Sequence, residues 1–181
     1  MRAWLAVGVL VVAGVSSQPS SAASDSGAAD FARFPAPARF TGHVRLPQFA
    51  GRDRKFAMFR TRIRDGIKAG PNFAGHFVIV GWGCGTDCAD YVIADVATGK
   101  VFHLPLSGEA EGDLQYDMRV DSRLMIAHWI TFMDERAPDG ARMVQCLKQS
   151  FVWSGKVAVP LAKPAIVATV EPRHQDSCDG K

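Results

Sequence analysis

Residues 70 to 88 read Gly-Pro-Asn-Phe-Ala-Gly-His-Phe-Val-Ile-Val-Gly-Trp-Gly-Cys-Gly-Thr-Asp-Cys, and this stretch constrains the fold more than any other. An unbroken apolar run, Phe77 to Trp82, leads into Cys84-Gly-Thr-Asp-Cys88, and a second apolar run, Tyr91 to Val96, leaves it. Two such runs about a short polar turn are the pattern of a β-hairpin. Runs that do not alternate predict strands covered on both faces, which places this hairpin near the centre of a sheet.

The flanking sequence supplies one helix and more hairpins. Phe56, Phe59, Ile63 and Ile67 recur at helical spacing, so they predict one face of an amphipathic helix. Asp53 is its expected N-cap and Gly70-Pro71 its stop. Beyond the hairpin, Asp95 to Lys100 reads as a turn into a strand over Val101 to Leu104. Met118 to Val120 and Leu124 to Trp129 flank the turn Asp121-Ser-Arg123, while Met143 to Trp153 and Lys156 to Leu161 flank Ser154-Gly155. Phe132 to Gly140, with its adjacent acids Asp134 and Glu135, is expected to be an exposed loop. Short strands joined by tight turns make an antiparallel meander. The expected class is therefore α+β, with a β-meander sheet and one amphipathic helix packed on a face. The phrases Asp95-Val-Ala-Thr-Gly-Lys and Val120-Asp-Ser-Arg-Leu echo propeller blades, but the chain is too short for the four or more blades that such a fold needs.

The N-terminal end predicts export. Met1-Arg2 is a short cationic start, Ala3 to Val15 is apolar, and Ser21-Ala-Ala23 suits signal peptidase. Residues 1–23 are thus expected to be a signal peptide, 24–38 a disordered leader rich in small, polar residues and proline, and 39–181 a single α+β domain. The apolar run is shorter than the roughly 20 residues that cross a bilayer. No transmembrane segment is expected, and the protein is read as periplasmic or secreted. In an oxidising compartment, the four cysteines are disulfide candidates. Four cysteines allow three pairings. The chain itself holds Cys84 near Cys88, which favours that bond and leaves Cys146 with Cys178. A zinc site would need ligands such as His76 and Cys146 to converge, with no second close pair to help, so neither metal nor cofactor is expected.

Composition narrows the partners. With 21 basic and 18 acidic residues the net charge of +3 is too mild to suggest nucleic acid. A disulfide-closed tip is shaped before any partner arrives, which lowers the ordering cost of binding. Trp82, Thr86 and Asp87 are its expected contacts. Arg60, Arg64 and Lys68 recur at i+4, and such a stripe is either a solvated face or a contact for an anionic envelope surface. The partner is accordingly expected to be a protein or a cell-envelope component. The contrasting reading is a small envelope enzyme using His76 with the Cys84/Cys88 tip. It is disfavoured because a neighbouring cysteine in an exported protein removes the thiol nucleophile, and no Gly-x-Ser-x-Gly, His-Glu-x-x-His or phosphate loop occurs.

Arg60-Thr-Arg-Ile-Arg-Asp-Gly66, Gly70-Pro-Asn-Phe-Ala-Gly-His-Phe77 and Trp82-Gly-Cys-Gly-Thr-Asp-Cys88 together resemble a group of short exported proteobacterial proteins. The resemblance covers roughly residues 56–105, with a looser echo over 120–124, and implies no particular activity. In architecture, a cysteine-closed loop on a small exported α+β domain is similar to the periplasmic inhibitors of vertebrate lysozyme, whose closed loop enters the enzyme cleft. That loop carries a histidine between its cysteines, where Gly85, Thr86 and Asp87 stand here.

Overall fold

The computed structural model describes residues 30–171 and Cys178. The expected signal peptide, residues 1–23, lies outside the described residues, as do residues 24–29 of the expected leader.

Among the described residues the chain is antiparallel β-structure with one helical segment packed against it, the expected α+β class. A 3-10 stretch, Arg54–Phe59, runs directly into helix α1, Arg60–Ala69. The strands follow in order: β1 Phe77–Gly85, β2 Cys88–Asp95, β3 Val101–His103, β4 Gly112–Met118, β5 Leu124–Arg136, β6 Arg142–Trp153, β7 Ala158–Pro160 and β8 Ala165–Val170. They form a three-stranded sheet ordered β1-β2-β3 and a five-stranded sheet ordered β4-β5-β6-β7, in which β8 also pairs with β6.

The unbroken apolar run of β1 is explained by three layers. Phe77 and Ile79 point into a core shared with Met125, Trp129, Phe151 and Trp153 of the second sheet. Val78 and Trp82 point the other way, against Phe56, Ile63 and Ile67 of the helical segment. Gly66 permits this closeness, since a Cβ there would fall 2.5 Å from a Val80 methyl. Both faces of β1 are covered, yet β1 is an edge strand and only β2 is central, so the expectation for β1 is corrected. Layers cover faces, whereas edges are covered separately. Here the Asn72 amide serves as a piece of extra strand, donating to Ile79 O at 3.1 Å and accepting from Ile79 N at 2.9 Å. Those two bonds satisfy backbone groups that an open edge would leave bare.

Other expectations change as well. Asp53 makes no capping bond to the helical segment. It is buried at 2% exposure and accepts instead from Gln48 N at 2.9 Å, from the Arg52 guanidinium at 2.7 and 3.1 Å, and from Val101 N at 3.4 Å. It thus ties the start of the helix to β3. Burial pushes its pKa up, but the Arg52 guanidinium and the two backbone N–H groups more than reverse this, holding it below the ordinary carboxylate range. Within residues 30–38, part of the expected leader, Phe31 is buried on Leu124 and Ile126, and Pro35 bridges Ser122. The expected loop from Phe132 to Gly140 is mostly strand, because β5 continues to Arg136 and pairs there with Arg142. Strand β8 was not anticipated.

Candidate functional site

The β1–β2 hairpin carries the candidate site at its end. Pairing is regular from Phe77↔Asp95 to Gly83↔Ala89 and then becomes irregular before Gly85↔Cys88. Cys84 and Cys88 are disulfide-bonded with their Cα atoms 5.1 Å apart, and Cys146 is bonded to Cys178. Both expected pairings are present, and no cysteine is free. Within the small ring, Asp87 sits at φ 54°. This left-handed conformation suits Asp better than most residues and helps set the turn.

Beyond the disulfide, the tip is held in place without using the side chains of Thr86 and Asp87. Asp87 O accepts from Asp113 N at 2.9 Å, and Ala89 O accepts from Gly108 N at 3.0 Å. Tyr91 N donates to the Ser107 hydroxyl, which in turn lies 3.0 Å from Asp90 Oδ1. The Tyr91 hydroxyl crosses to the second sheet and donates to Leu114 O at 2.8 Å. Gly81 lies opposite Tyr91, and a Cβ at Gly81 would fall 2.4 Å from the tyrosine ring, so glycine lets the ring lie flat across β1.

The expected contacts separate into two groups. Thr86 and Asp87 are exposed at the tip. Trp82 is not: it is 7% exposed and stacks on Phe59, with ring centroids 4.2 Å apart. It anchors the hairpin root to the helical segment and presents little to a partner. Arg60, Arg64 and Lys68 are exposed on α1, and the Arg64 guanidinium lies over the Phe49 ring at 5.4 Å. These side chains belong to the helical layer and do not line the cavities at the tip.

Thr86 and Asp87 form one wall of an open groove of about 400 Å³, completed by Glu109, Thr131, Phe132 and Arg142 among others. Phe132 is 42% exposed. Arg142 is fixed there: Nε donates to Met133 O at 2.8 Å and Nη2 to Phe132 O at 3.0 Å, while Asp134 Oδ1 lies 3.7 Å away. A second cavity, of about 240 Å³, lies beside the tip and is bounded by Asp87, Asp113 and Gln115. The tip is therefore a rigid projection with apolar, cationic and acidic groups around it, and with carboxylates in excess. Sequence reasoning missed Glu109, Phe132 and Arg142 because they come from distant segments, a turn before β4 and strands β5 and β6, and carry no local motif.

The side chains of the enzyme reading are not brought together. His76 precedes β1, its ring against Phe77, while Cys84 lies near the other end of that strand. At roughly 3.3 Å per residue they are about 25 Å apart, and both tip sulfurs are in a disulfide. His128 Nε2 does meet a carboxylate, Asp117 Oδ2 at 3.0 Å, through a contact between β4 and β5 that no local spacing announces. Among the described residues there is no cluster of three or more metal-ligating side chains, and no helix is long and apolar enough to cross a membrane. Comparison with protein-family models, with curated proteins and with solved structures finds no match for this chain.

Proposed function

We propose that this protein is an exported binding module that recognises a protein or cell-envelope component through its disulfide-closed tip. The observation that carries the reading is the division of labour at residues 84–88: covalent and backbone bonds fix the loop, which leaves Thr86 and Asp87 exposed beside a groove. A loop ordered in advance keeps more of its contact energy for binding. Asp87 and Glu109 in the groove, with Asp113 alongside, favour a partner segment that carries positive charge. Export is part of the same proposal, supported by two disulfides in a chain whose first residues resemble a signal peptide. The architectural analogy to inhibitors with a cysteine-closed loop points the same way.

One observation favours a second contact, with an anionic envelope surface. Met58 is 86% exposed between Lys55 and Arg60, on a segment where Arg60, Arg62, Arg64 and Lys68 also face solvent. An exposed apolar side chain on a segment rich in cations suits the boundary of an anionic membrane or polymer.

The test is capture of partners from envelope extract by wild type and by Thr86→Ala/Asp87→Gly. The expected result is a partner held by wild type and lost by the variant, and held at least as tightly by Arg142→Gln, which removes a like charge from the groove. A partner held equally by all three proteins would move recognition away from the tip. If its retention then fell with salt and with Arg64→Ala, the helix would be the binding face.

A further inference from the structure

The outer face of the second sheet carries a cleft unrelated to the tip. In the β5–β6 register, Leu124 pairs with Val152, Ile126 with Ser150 and His128 with Lys148. These alternate with Met125, Trp129 and Phe151, which point into the core between the sheets. Leu124, Lys148 and Ser150 therefore share the opposite face.

Two walls stand on that face, each fixed by hydrogen bonds. The first is the segment after Asp30. Phe31 is buried on Leu124 and Ile126, the Ser122 hydroxyl donates to Phe31 O at 2.8 Å, and Arg123 N donates to Phe34 O at 2.8 Å. The second is the link between β7 and β8, where Leu161 N donates to Ser150 O at 2.9 Å and the Gln149 amide to Ala162 O at 2.7 Å. Between them lies a cavity of about 460 Å³, the largest of those described and of the size that holds small organic ligands.

Its lining is divided by chemistry. Phe34 on one wall and Leu161 on the other supply apolar surface, Leu161 at 50% exposure, and Leu124, itself 1% exposed, closes the floor between them. Arg33, Lys148 and Lys163 supply three cations against one carboxylate, Asp30, which already lies 3.7 Å from Arg33. The Lys148 and Lys163 side chains make no hydrogen bond or ion pair among the described residues, and the Ser150 hydroxyl adds a donor beside them. Cations without partners above an apolar floor complement a ligand with the converse arrangement.

We infer that this cleft binds a small amphiphilic monoanion, with its carboxylate or similar head between Lys148 and Lys163 and a short hydrocarbon chain over Leu124, Phe34 and Leu161. The lining supports one chain and one head: the volume is too small for a polymer, and Lys148, which pairs with Ala165, lies on the same side as Lys163, whereas Arg33 stands on the other wall beside Asp30.

Octanoate is a suitable probe, with octylammonium as its cationic counterpart, each titrated into the purified full chain and followed by backbone amide shifts. The expected result is saturable binding of octanoate, with the largest shifts at Leu124, Lys148, Ser150 and Leu161 and no saturable effect of octylammonium. Lys148→Gln with Lys163→Gln should weaken octanoate by about tenfold, the scale of losing charge-assisted hydrogen bonds. Leu161→Gln, at an exposed position, should weaken it about threefold while leaving the head contacts in place. Should the double variant fail to fold, Lys163→Gln alone at its exposed site carries the test. Equal binding of octylammonium, saturation centred on Arg60 to Lys68, no saturation, or octanoate affinity unchanged in the folded variants would each overturn the assignment.

Discussion

At its root the β1–β2 hairpin is gripped on both faces, by Ile63 and Ile67 of α1 on one side and by Trp129 and Trp153 of the second sheet on the other. Beyond Trp82 the layers end, and Gly83, Cys84, Gly85, Thr86 and Asp87 are all exposed. One pair of strands therefore passes from a region ordered by burial to a region ordered by a disulfide and by hydrogen bonds to segments 107–108 and 113. The difference matters for function. Side chains at the root are committed to packing, and substitution there reports on folding. Side chains at the tip contribute little to the fold, so substitution there reports on recognition.

The comparison breaks most visibly at Ile63. This side chain is fully buried beneath the first sheet, and Ile63→Ala removes its contacts and leaves a cavity. A loss of about 3 to 4 kcal/mol is expected in denaturant unfolding. A loss below about 1 kcal/mol would mean that α1 is not what holds the root.

Asp53 tests the same root by charge. Asp53→Asn leaves Arg52 and two backbone N–H groups without their carboxylate and should cost about 2 kcal/mol at neutral pH, the scale of charge-assisted hydrogen bonds, because the Arg52 side chain is 38% exposed. The pH dependence has a definite sign. Folding lowers the Asp53 pKa from an ordinary value of 3.8, so its contribution is fully present above that value and is lost as pH falls through the lower folded one. Wild type should therefore lose stability over that acid range more steeply than Asp53→Asn. Parallel pH profiles for the two proteins would remove Asp53 from its role.

How much of this was legible in the sequence follows from the range of each interaction. The face formed by Phe56, Ile63 and Ile67, the turn at Gly99, and both disulfides follow from spacing along the chain, and they stand in the structure. What escaped depends on contacts between distant segments. Asp53 looks like a helix cap until β3 supplies Val101 N. The unbroken run in β1 signals covered faces, but nothing local shows that Asn72 occupies the edge. Strand β8 escaped because Ile166 and Val167 are both exposed, so it has no alternation to read. Phe31 was hidden by the small, polar residues around it, although with Phe34 it brings the segment onto Leu124 and Ile126. At the site, the tip could be read from its cysteines, whereas Glu109, Phe132 and Arg142 meet it only through the topology.

The tip disulfide sharpens the comparison from the other end. Closing a ring this small removes little chain entropy from the unfolded state, so Cys84→Ala with Cys88→Ala should cost about 2 kcal/mol. Partner affinity should fall by more than this stability loss explains, because the opened loop must be ordered on binding. Protein that remains folded and binds its partner as wild type does would show that the bridge shapes nothing the partner reads.

The smallest effect on folding is expected at Asp87, where the choice of replacement matters. Its φ of 54° is left-handed, so alanine would add backbone strain of about 1 kcal/mol to the loss of the carboxylate, mixing two effects. Glycine adopts that conformation freely, and the bond from Asp113 N goes to the Asp87 carbonyl, which glycine retains. Asp87→Gly should therefore change unfolding free energy by less than about 0.5 kcal/mol, the range for exposed positions. The same change removes a negative charge from the wall facing Arg142, so capture of a positively charged partner should weaken and its association should become less sensitive to salt. Unaltered folding with unaltered capture would leave the tip as a closed turn with no recognition role, whereas a large loss of stability would show that the division between a packed root and a free tip is wrong at this residue.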